Sequence, residues 1–310
     1  MRSTKDISKV IILAGLLVVV NSVKAQQDPM FTQYNFNTQT INPAYAGSWE
    51  SLGFLALGRY QWVGLDGHPT TYTFSVQTPT RKENVAWGVN VISDKIGKEQ
   101  HFTLSGDYSY RLRMGMNSYM RLGLKVGISN YSNPLTDYVQ DPDSPTDPTL
   151  ENIDAKTIPN FGIGAFWYSE DYYVGLSVPK IIQTTFDTEY NYSAYSELRH
   201  FFLIGGYVFN KERAVKIKPT FLLKVVENAP IELDLTANFL IKDRVWLGAM
   251  YRTGDSYGFI AQWIIDRRMR LGYAIDFTTS ELSRVSNGTH ELMISYEVGS
   301  KRKWLTPRMF

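Results

Sequence analysis

Hydrophobic and polar residues alternate one by one along most of the chain after residue 47. Over residues 119–128 every second residue is apolar, and Arg121 and Lys125 stand among the residues between them. Residues 231–239 and 269–277 repeat the pattern. Such alternation is typical of a β-strand with one apolar and one polar face. The pattern therefore predicts an all-β chain.

Segments of this kind predict about fourteen strands, an even number, as is usual in bacterial outer-membrane barrels. They lie near residues 51–60, 71–78, 85–94, 101–111, 118–129, 160–169, 171–178, 199–209, 214–226, 230–241, 244–252, 256–265, 268–277 and 290–298.

Soluble sheets also alternate, so the size of the barrel decides where the apolar face points. About eight strands enclose a lumen that side chains can fill, whereas fourteen enclose one too wide for an apolar core. The apolar face must then contact lipid, which predicts a transmembrane antiparallel up-and-down β-barrel. Two stacked soluble sandwiches are the alternative. They need a linker near the middle of the chain, and only residues 130–159 offer one.

The connections between the predicted strands alternate between short and long. Compact turns lie at residues 169–171, 210–213, 242–243 and 266–268, and long connections at residues 61–70, 130–159, 180–198 and 278–289. Bacterial barrels have short periplasmic turns and longer extracellular loops. We therefore expect a protein of the cell outer membrane with the long loops extracellular and both termini periplasmic.

The first 25 residues have the pattern of a cleaved signal peptide: a basic start, an apolar run over residues 10–20 and small residues before Gln26. The run is too short for a spanning helix, which needs roughly twenty residues. The predicted organisation is a signal peptide at 1–25, a periplasmic or lumen-packed segment at 26–50, a barrel at 51–298 and a C-terminal tail at 299–310.

Composition adds few constraints on partners. The chain has 32 basic and 30 acidic residues, and removing four basic and one acidic residue with the signal peptide leaves 28 and 29. A nearly neutral chain gives no reason to expect a nucleic-acid partner. There is no cysteine, which excludes thiol catalysis and thiolate metal sites. Aromatic residues make up 14%, which suits the aromatic girdles of a membrane barrel.

No group of residues predicts catalysis or a cofactor. His101, Thr103 and Ser105 share one strand face, as a barrel hydrolase could require, but a row of polar lumen residues is the simpler interpretation. Asp141, Asp143 and Asp147 gather in a proline-rich loop. Calcium binding there is an alternative to a solvated loop, although the glycine turn and final glutamate of an EF-hand are missing.

Charged residues on the polar strand faces predict the state of the lumen. Lys216, Lys218 and Lys224 should lie beside Glu232 and Asp234 on the next strand and pair with them. Mixed signs favour a plugged or filled lumen over an ion-selective channel.

The two largest predicted loops carry aromatic residues suited to protein contacts. They are Tyr131, Tyr138, Phe186, Tyr190, Tyr192 and Tyr195. Packing within the loops or at the membrane interface is the alternative interpretation for each of them. These aromatic residues favour a mechanism in which the protein docks a partner protein.

The start of the predicted mature chain resembles the opening of the PorP/SprF family of the type IX secretion system of Bacteroidetes. The resemblance rests on Asp28, Pro29, Phe31, Gln33, Tyr34, Asn42, Pro43, Ala44, Tyr45 and Gly47. Residues 58–62 and 69–72 and the ending at 306–310 also resemble this family, with Met309 where an aromatic residue is expected.

The resemblance implies a non-enzymatic outer-membrane component of the secretion and gliding machinery. It would dock, export or retain specific surface-protein cargo, typically an adhesin with a type IX C-terminal sorting domain. Other implied partners are the periplasmic ring or gliding components and the lipid bilayer. An outer-membrane transporter or porin for small or hydrophobic solutes is the alternative function.

Overall fold

Alternating residues form long antiparallel strands in the computed structural model, which describes residues 28–49, 51–81, 84–134, 153–186, 195–227, 229–266 and 268–298. The strands are β1 (Leu52–Tyr60), β2 (Thr70–Pro79), β3 (Val85–Ile96), β4 (Glu99–Arg113), β5 (Tyr119–Asn133), β6 (Ile153–Tyr168), β7 (Tyr172–Val178), β8 (Thr184–Phe186), β9 (Tyr195–Glu197), β10 (His200–Tyr207), β11 (Val215–Val226), β12 (Glu232–Ile241), β13 (Val245–Arg252), β14 (Ser256–Ile264), β15 (Met269–Thr278) and β16 (Thr289–Val298).

Fourteen of the strands in the described ranges close into one barrel. Each pairs antiparallel with its neighbour in the chain, and β1 pairs with β16, from Leu52 opposite Val298 to Tyr60 opposite His290. The remaining two strands, β8 and β9, form a separate hairpin in the connection between β7 and β10. The predicted fold class and strand number are confirmed.

Short helical segments occur outside the barrel strands. They are an α-helical turn at Thr38–Ile41 and 3-10 turns at Pro43–Tyr45 and Glu281–Arg284. None of the helices in the described residues is long and apolar enough to cross a bilayer.

The two strand faces differ as the alternation predicts. On β5 the side chains of Leu122, Leu124 and Val126 are exposed on the outside of the barrel, whereas Arg121 and Lys125 are buried inside it. The same division holds on β12, where Leu235 faces outward and Thr236 inward. An apolar outer surface meets lipid, and the polar groups face the lumen.

Aromatic residues gather on the outer face near both ends of the barrel. At one end Tyr60 and Tyr72 share a hydrogen bond of 2.9 Å between their hydroxyl oxygens. At the other end the rings of Trp87 and Tyr108 lie 5.0 Å apart. Such belts mark the two membrane interfaces of an outer-membrane barrel.

The longest connections lie at the same end of the barrel. They span residues 61–69, 134–152, 179–199 and 279–288, and we call this end the long-connection end. The opposite, short-turn end carries the connections at residues 80–84, 114–118, 169–171, 208–214, 242–244 and 265–268.

The predicted loop at residues 130–159 extends further at both ends than the connection between β5 and β6 in the structure. β5 continues to Asn133 and β6 begins at Ile153, so Tyr131 belongs to a strand. Its side chain is fully buried against Ile153 and Ile158. Tyr131 is therefore a packing residue here rather than an exposed loop contact.

The lipid-facing surface can be tested with a charge. We expect Leu235→Arg to destabilise the barrel by about 2–4 kcal/mol, because it places a guanidinium in the hydrocarbon region. Val285→Arg is the control, since Val285 is 56% exposed in the connection between β15 and β16. Urea unfolding in lipid vesicles measures both variants. Equal stability of the two would contradict the assignment of the outer face.

Candidate functional site

A segment of the chain that precedes β1 lies inside the barrel. We call residues 28–49 the lumen segment. From Phe31 to Trp49 every side chain except the half-buried Ile41 is buried. Backbone and side-chain groups of the segment form hydrogen bonds with inward-facing residues of β2, β4, β7 and β16. The lumen is therefore where the residues that carry the family resemblance contact the barrel wall.

The beginning of the lumen segment is held by two carboxylates of the wall. The backbone N–H groups of Thr32 and Gln33 donate to the carboxylate of Glu291 at 2.6 and 3.0 Å. The Thr32 hydroxyl donates to Asp276 at 2.7 Å. Arg59 joins both carboxylates, with its Nη1 2.5 Å from Glu291 and 3.4 Å from Asp276. All five residues are buried.

The next two residues cross to the opposite wall. Tyr34 shares a hydrogen bond of 3.2 Å with the Thr220 hydroxyl, to which the Asn35 amide also donates at 2.8 Å. The Tyr173 hydroxyl donates to Asn35 at 3.1 Å. Burial raises the pKa of Tyr34 to about 12, so its hydroxyl stays neutral. The ammonium group of Lys218 lies 5.1 Å from the centre of the Tyr173 ring.

The helical turn in the middle of the lumen segment is held by an ion pair of the wall. Lys125 lies 3.1 Å from Asp107 and donates to the carbonyl oxygens of Gln39 and Thr40 at 3.4 Å. The Gln39 side chain donates to Asp107 at 3.1 Å. The wall charges are therefore satisfied by this turn.

The Asn42-Pro43 turn rests on two glycines of the wall. The Asn42 side chain accepts a hydrogen bond of 2.9 Å from the Ala44 N–H and donates to the Ala165 carbonyl at 3.1 Å. Gly123 and Gly164 face each other on β5 and β6 beneath the turn. A Cβ atom on Gly123 would lie 2.2 Å from the Ala44 nitrogen. Only residues without a side chain allow this approach.

The end of the lumen segment turns toward β1 at Gly47. This glycine has φ +77°, a conformation that a residue with a side chain rarely adopts. Its N–H donates to Gln77 at 2.8 Å, and its carbonyl accepts from the fully buried Arg121 at 3.0 Å. Tyr45 packs edge-on against Phe166, with 5.4 Å between the ring centres.

Asp28 lies at the long-connection end of the lumen. Its carboxylate is 2.9 Å from Lys180, which is also 2.6 Å from Glu197. Burial alone would raise the pKa of Asp28, but Lys180 and His200 hold it well below its usual range. The carboxylate therefore stays ionised and anchors the start of the lumen segment.

The two ends of the described chain lie at opposite ends of the barrel. Asp28 is bound beside Lys180, just past β7, at the long-connection end. The last described residue, Val298, pairs with Leu52 at the short-turn end. The sequence left a periplasmic and a lumen-packed position open for residues 26–50, and residues 28–49 lie in the lumen.

The predicted docking residues and metal ligands are only partly described. Phe186 and Tyr195 occupy paired backbone positions in the β8–β9 hairpin. The predicted docking residues Tyr138, Tyr190 and Tyr192 and the possible calcium ligands Asp141, Asp143 and Asp147 lie outside the described residues. Within the described part of the chain, no group of three acidic or histidine residues could hold a metal ion.

The predicted cross-strand ion pairs form in part. Lys224 lies 3.0 Å from Glu232, as the alternation suggested. Lys216 instead pairs at 2.5 Å with Asp243 in the turn between β12 and β13, because Lys216 lies near the short-turn end of β11. Asp234 pairs with Arg252 of β13 at 2.8 Å.

Comparison with known proteins identifies relatives of both sequence and fold. A model of the family described as type IX secretion system membrane protein PorP/SprF matches residues 23–296. No curated protein sequence matches the chain.

Two solved barrels have a similar fold. A FadL homologue of Pseudomonas aeruginosa is 10% identical, with a TM-score of 0.51 over 87% of this chain and 95% of its own. The toluene transporter TbuX of Ralstonia pickettii is 10% identical, with a TM-score of 0.50 over 82% and 91%. At this identity the likeness concerns the fold alone.

Proposed function

Since the chain belongs to the PorP/SprF family of type IX secretion system membrane proteins, we propose that it is a non-enzymatic outer-membrane barrel that docks specific surface-protein cargo for export or retention. The cargo would carry a type IX C-terminal sorting domain. The periplasmic ring or gliding components of the system would be further partners.

The observation that carries this proposal is the occupied lumen. Wall groups that could serve a solute, such as Arg59, Lys125 and Arg121, donate hydrogen bonds to Thr32, Gln39 and Gly47 of the lumen segment instead. A barrel whose interior polar groups bind its own chain is suited to act as a rigid platform. The surfaces left for a partner are then the connections at its two ends.

We further propose that the long-connection end is extracellular and the short-turn end periplasmic, the usual arrangement of bacterial barrels. The long connections would bind the cargo. Tyr138, Tyr190 and Tyr192 in these connections, together with Phe186 and Tyr195 of the hairpin, remain the predicted contact residues.

Deletion of the gene tests the proposal. We expect one or a few proteins to disappear from the cell surface or the medium, while most type IX cargo is still exported, because a docking barrel serves particular clients. Quantitative mass spectrometry of surface and medium proteins measures this. An unchanged surface proteome combined with lost uptake of a small hydrophobic solute would instead select a transporter.

Shortening of residues 134–152 locates the contact. We expect the same client loss as in the deletion strain, with normal amounts of folded barrel in the membrane. The matched control shortens residues 279–288, another long connection at the same end. If the control loses the client and the first variant keeps it, the contact lies elsewhere on that end.

A further inference from the structure

A cavity of about 60 Å³ lies at the long-connection end of the lumen, and we call it the mouth cavity. Phe31 of the lumen segment and Phe202 of β10 line its apolar side, and Asp94 and Ser105 of the wall line its polar side. One water needs roughly 10–15 Å³ of such space. The mouth cavity therefore has room for a few waters or for the head of one side chain.

A glycine in the wall keeps part of the mouth cavity open. Ser105 on β4 lies between Asn90 on β3 and Gly127 on β5. A Cβ atom on Gly127 would lie 2.9 Å from the Ser105 Cβ. Since residue 127 has no side chain, the inner face stays open at this row of the wall.

Asp28, Asp94, Lys125 and Lys180 line the mouth cavity, so its carboxylates and lysines are equal in number, and their ion pairs decide which charge is left. Both lysines that line the cavity are already bound to carboxylates. The carboxylates that line it or pair with these lysines are Asp28, Asp94, Asp107 and Glu197. Asp94 accepts a hydrogen bond of 2.5 Å from the Thr71 hydroxyl and has no ion pair within the described residues. A positive charge is therefore the complementary ligand.

A second observation points to a ligand in the same place. Ser105 is only 6% exposed and lines the mouth cavity, yet its hydroxyl makes no hydrogen bond to any described residue. Buried hydroxyl groups are normally bonded to protein or to ordered molecules. The hydroxyl can accept a hydrogen bond from an N–H group that enters the cavity.

We propose that the mouth cavity binds the cationic head of a lysine or arginine side chain of a partner polypeptide. The inference rests on the proposed docking function, of which it specifies the chemistry. The volume fits one head group rather than a whole solute. The β8–β9 hairpin lies at the same end of the barrel. Its Glu197 pairs with Lys180, which lines the cavity. A protein seated on this end would present its side chains to the cavity.

Peptide binding to the purified full-length barrel in detergent tests the inference. The probes are fluorescein-labelled tetralysine and tetraglutamate, followed by fluorescence anisotropy at low salt and pH 8, where ordinary histidines are neutral. We expect the wild type to bind tetralysine and not tetraglutamate. Asp94→Asn should weaken tetralysine binding about tenfold or more, because a charged partner is lost. Ser105→Val, which fills the cavity and removes the hydroxyl, should weaken it as well.

Asp266→Asn is the matched control, since this carboxylate is exposed in the turn after β14 at the opposite end. It should change the affinity by no more than about twofold, as is typical of surface changes. Unaltered heat-modifiable migration on gels shows that each variant is folded. Equal tetralysine binding by wild type, Asp94→Asn and Ser105→Val would overturn the inference, as would the absence of binding to wild type. Either result would leave the cargo function standing if gene deletion still removes a surface client.

Discussion

Gly123→Ala is expected to loosen the lumen segment and raise the ion conductance of the barrel. Its new Cβ atom would lie 2.2 Å from the Ala44 nitrogen, and the Asn42-Pro43 turn cannot move aside without losing its hydrogen bond to Ala165. Overpacking of this kind costs about 1–3 kcal/mol. The undocked fraction should therefore rise by roughly tenfold. Conductance in planar bilayers measures it, because fourteen strands enclose an aqueous lumen once the segment leaves.

Gly106→Ala is the control for this experiment. Gly106 lies on the outer face of β4, and the nearest atom to an added Cβ is 4.0 Å away. The control should conduct as the wild type does. If the Gly123→Ala barrel conducts no more than the control, the Asn42-Pro43 turn shifts to accept the new Cβ atom while the lumen segment stays in place.

The sequence was sufficient to predict the barrel because strand faces repeat locally. In β5 and β12 each apolar residue that faces lipid lies two positions from the next. A few neighbouring residues therefore determine the orientation of a strand. At the compact turns the antiparallel order followed from connections too short for a crossover.

The strand boundaries were harder to predict where polar residues and proline interrupt the alternation. Pro159 lies within β6, opposite Ile128, although proline cannot donate to the ladder. β6 begins six residues before Pro159, at Ile153. Its pairing with β5 is irregular between Tyr131 and Asn133. The pattern alone could not distinguish this extension from a loop.

The sequence could not decide between a periplasmic and a lumen-packed position for the lumen segment, because the contacts of this segment are distant in the chain. Gln33 binds Glu291 across 258 residues, and Asn42 binds Ala165 across 123. Neither partner leaves a periodic signal in the segment itself. The Asn42-Pro43 turn was visible from its residue types, but the glycines beneath it could be recognised only once β5 and β6 were paired.

Arg59→Met is expected to cause the second large effect, a loss of about 3–5 kcal/mol of barrel stability, because it leaves a buried ionic group without its cation. Asp276 and Glu291 are each almost fully buried, and Arg59 is the cation that contacts both of them among the described residues. The lumen segment donates to the same carboxylates through Thr32 and Gln33. Its first turns should detach together with the loss of stability.

Arg284→Met is the matched control, since Arg284 pairs with Glu281 at 3.1 Å while both side chains are more than three-quarters exposed. Surface pairs of this kind contribute about 0–1 kcal/mol. Urea unfolding followed by tryptophan fluorescence measures both variants, and limited proteolysis reports whether residues 31–49 become accessible. Adding Glu291→Gln to Arg59→Met should recover part of the stability, because it removes one of the two uncompensated charges. A double variant less stable than Arg59→Met alone would mean that the Glu291 charge holds the Thr32 and Gln33 N–H groups even without the arginine.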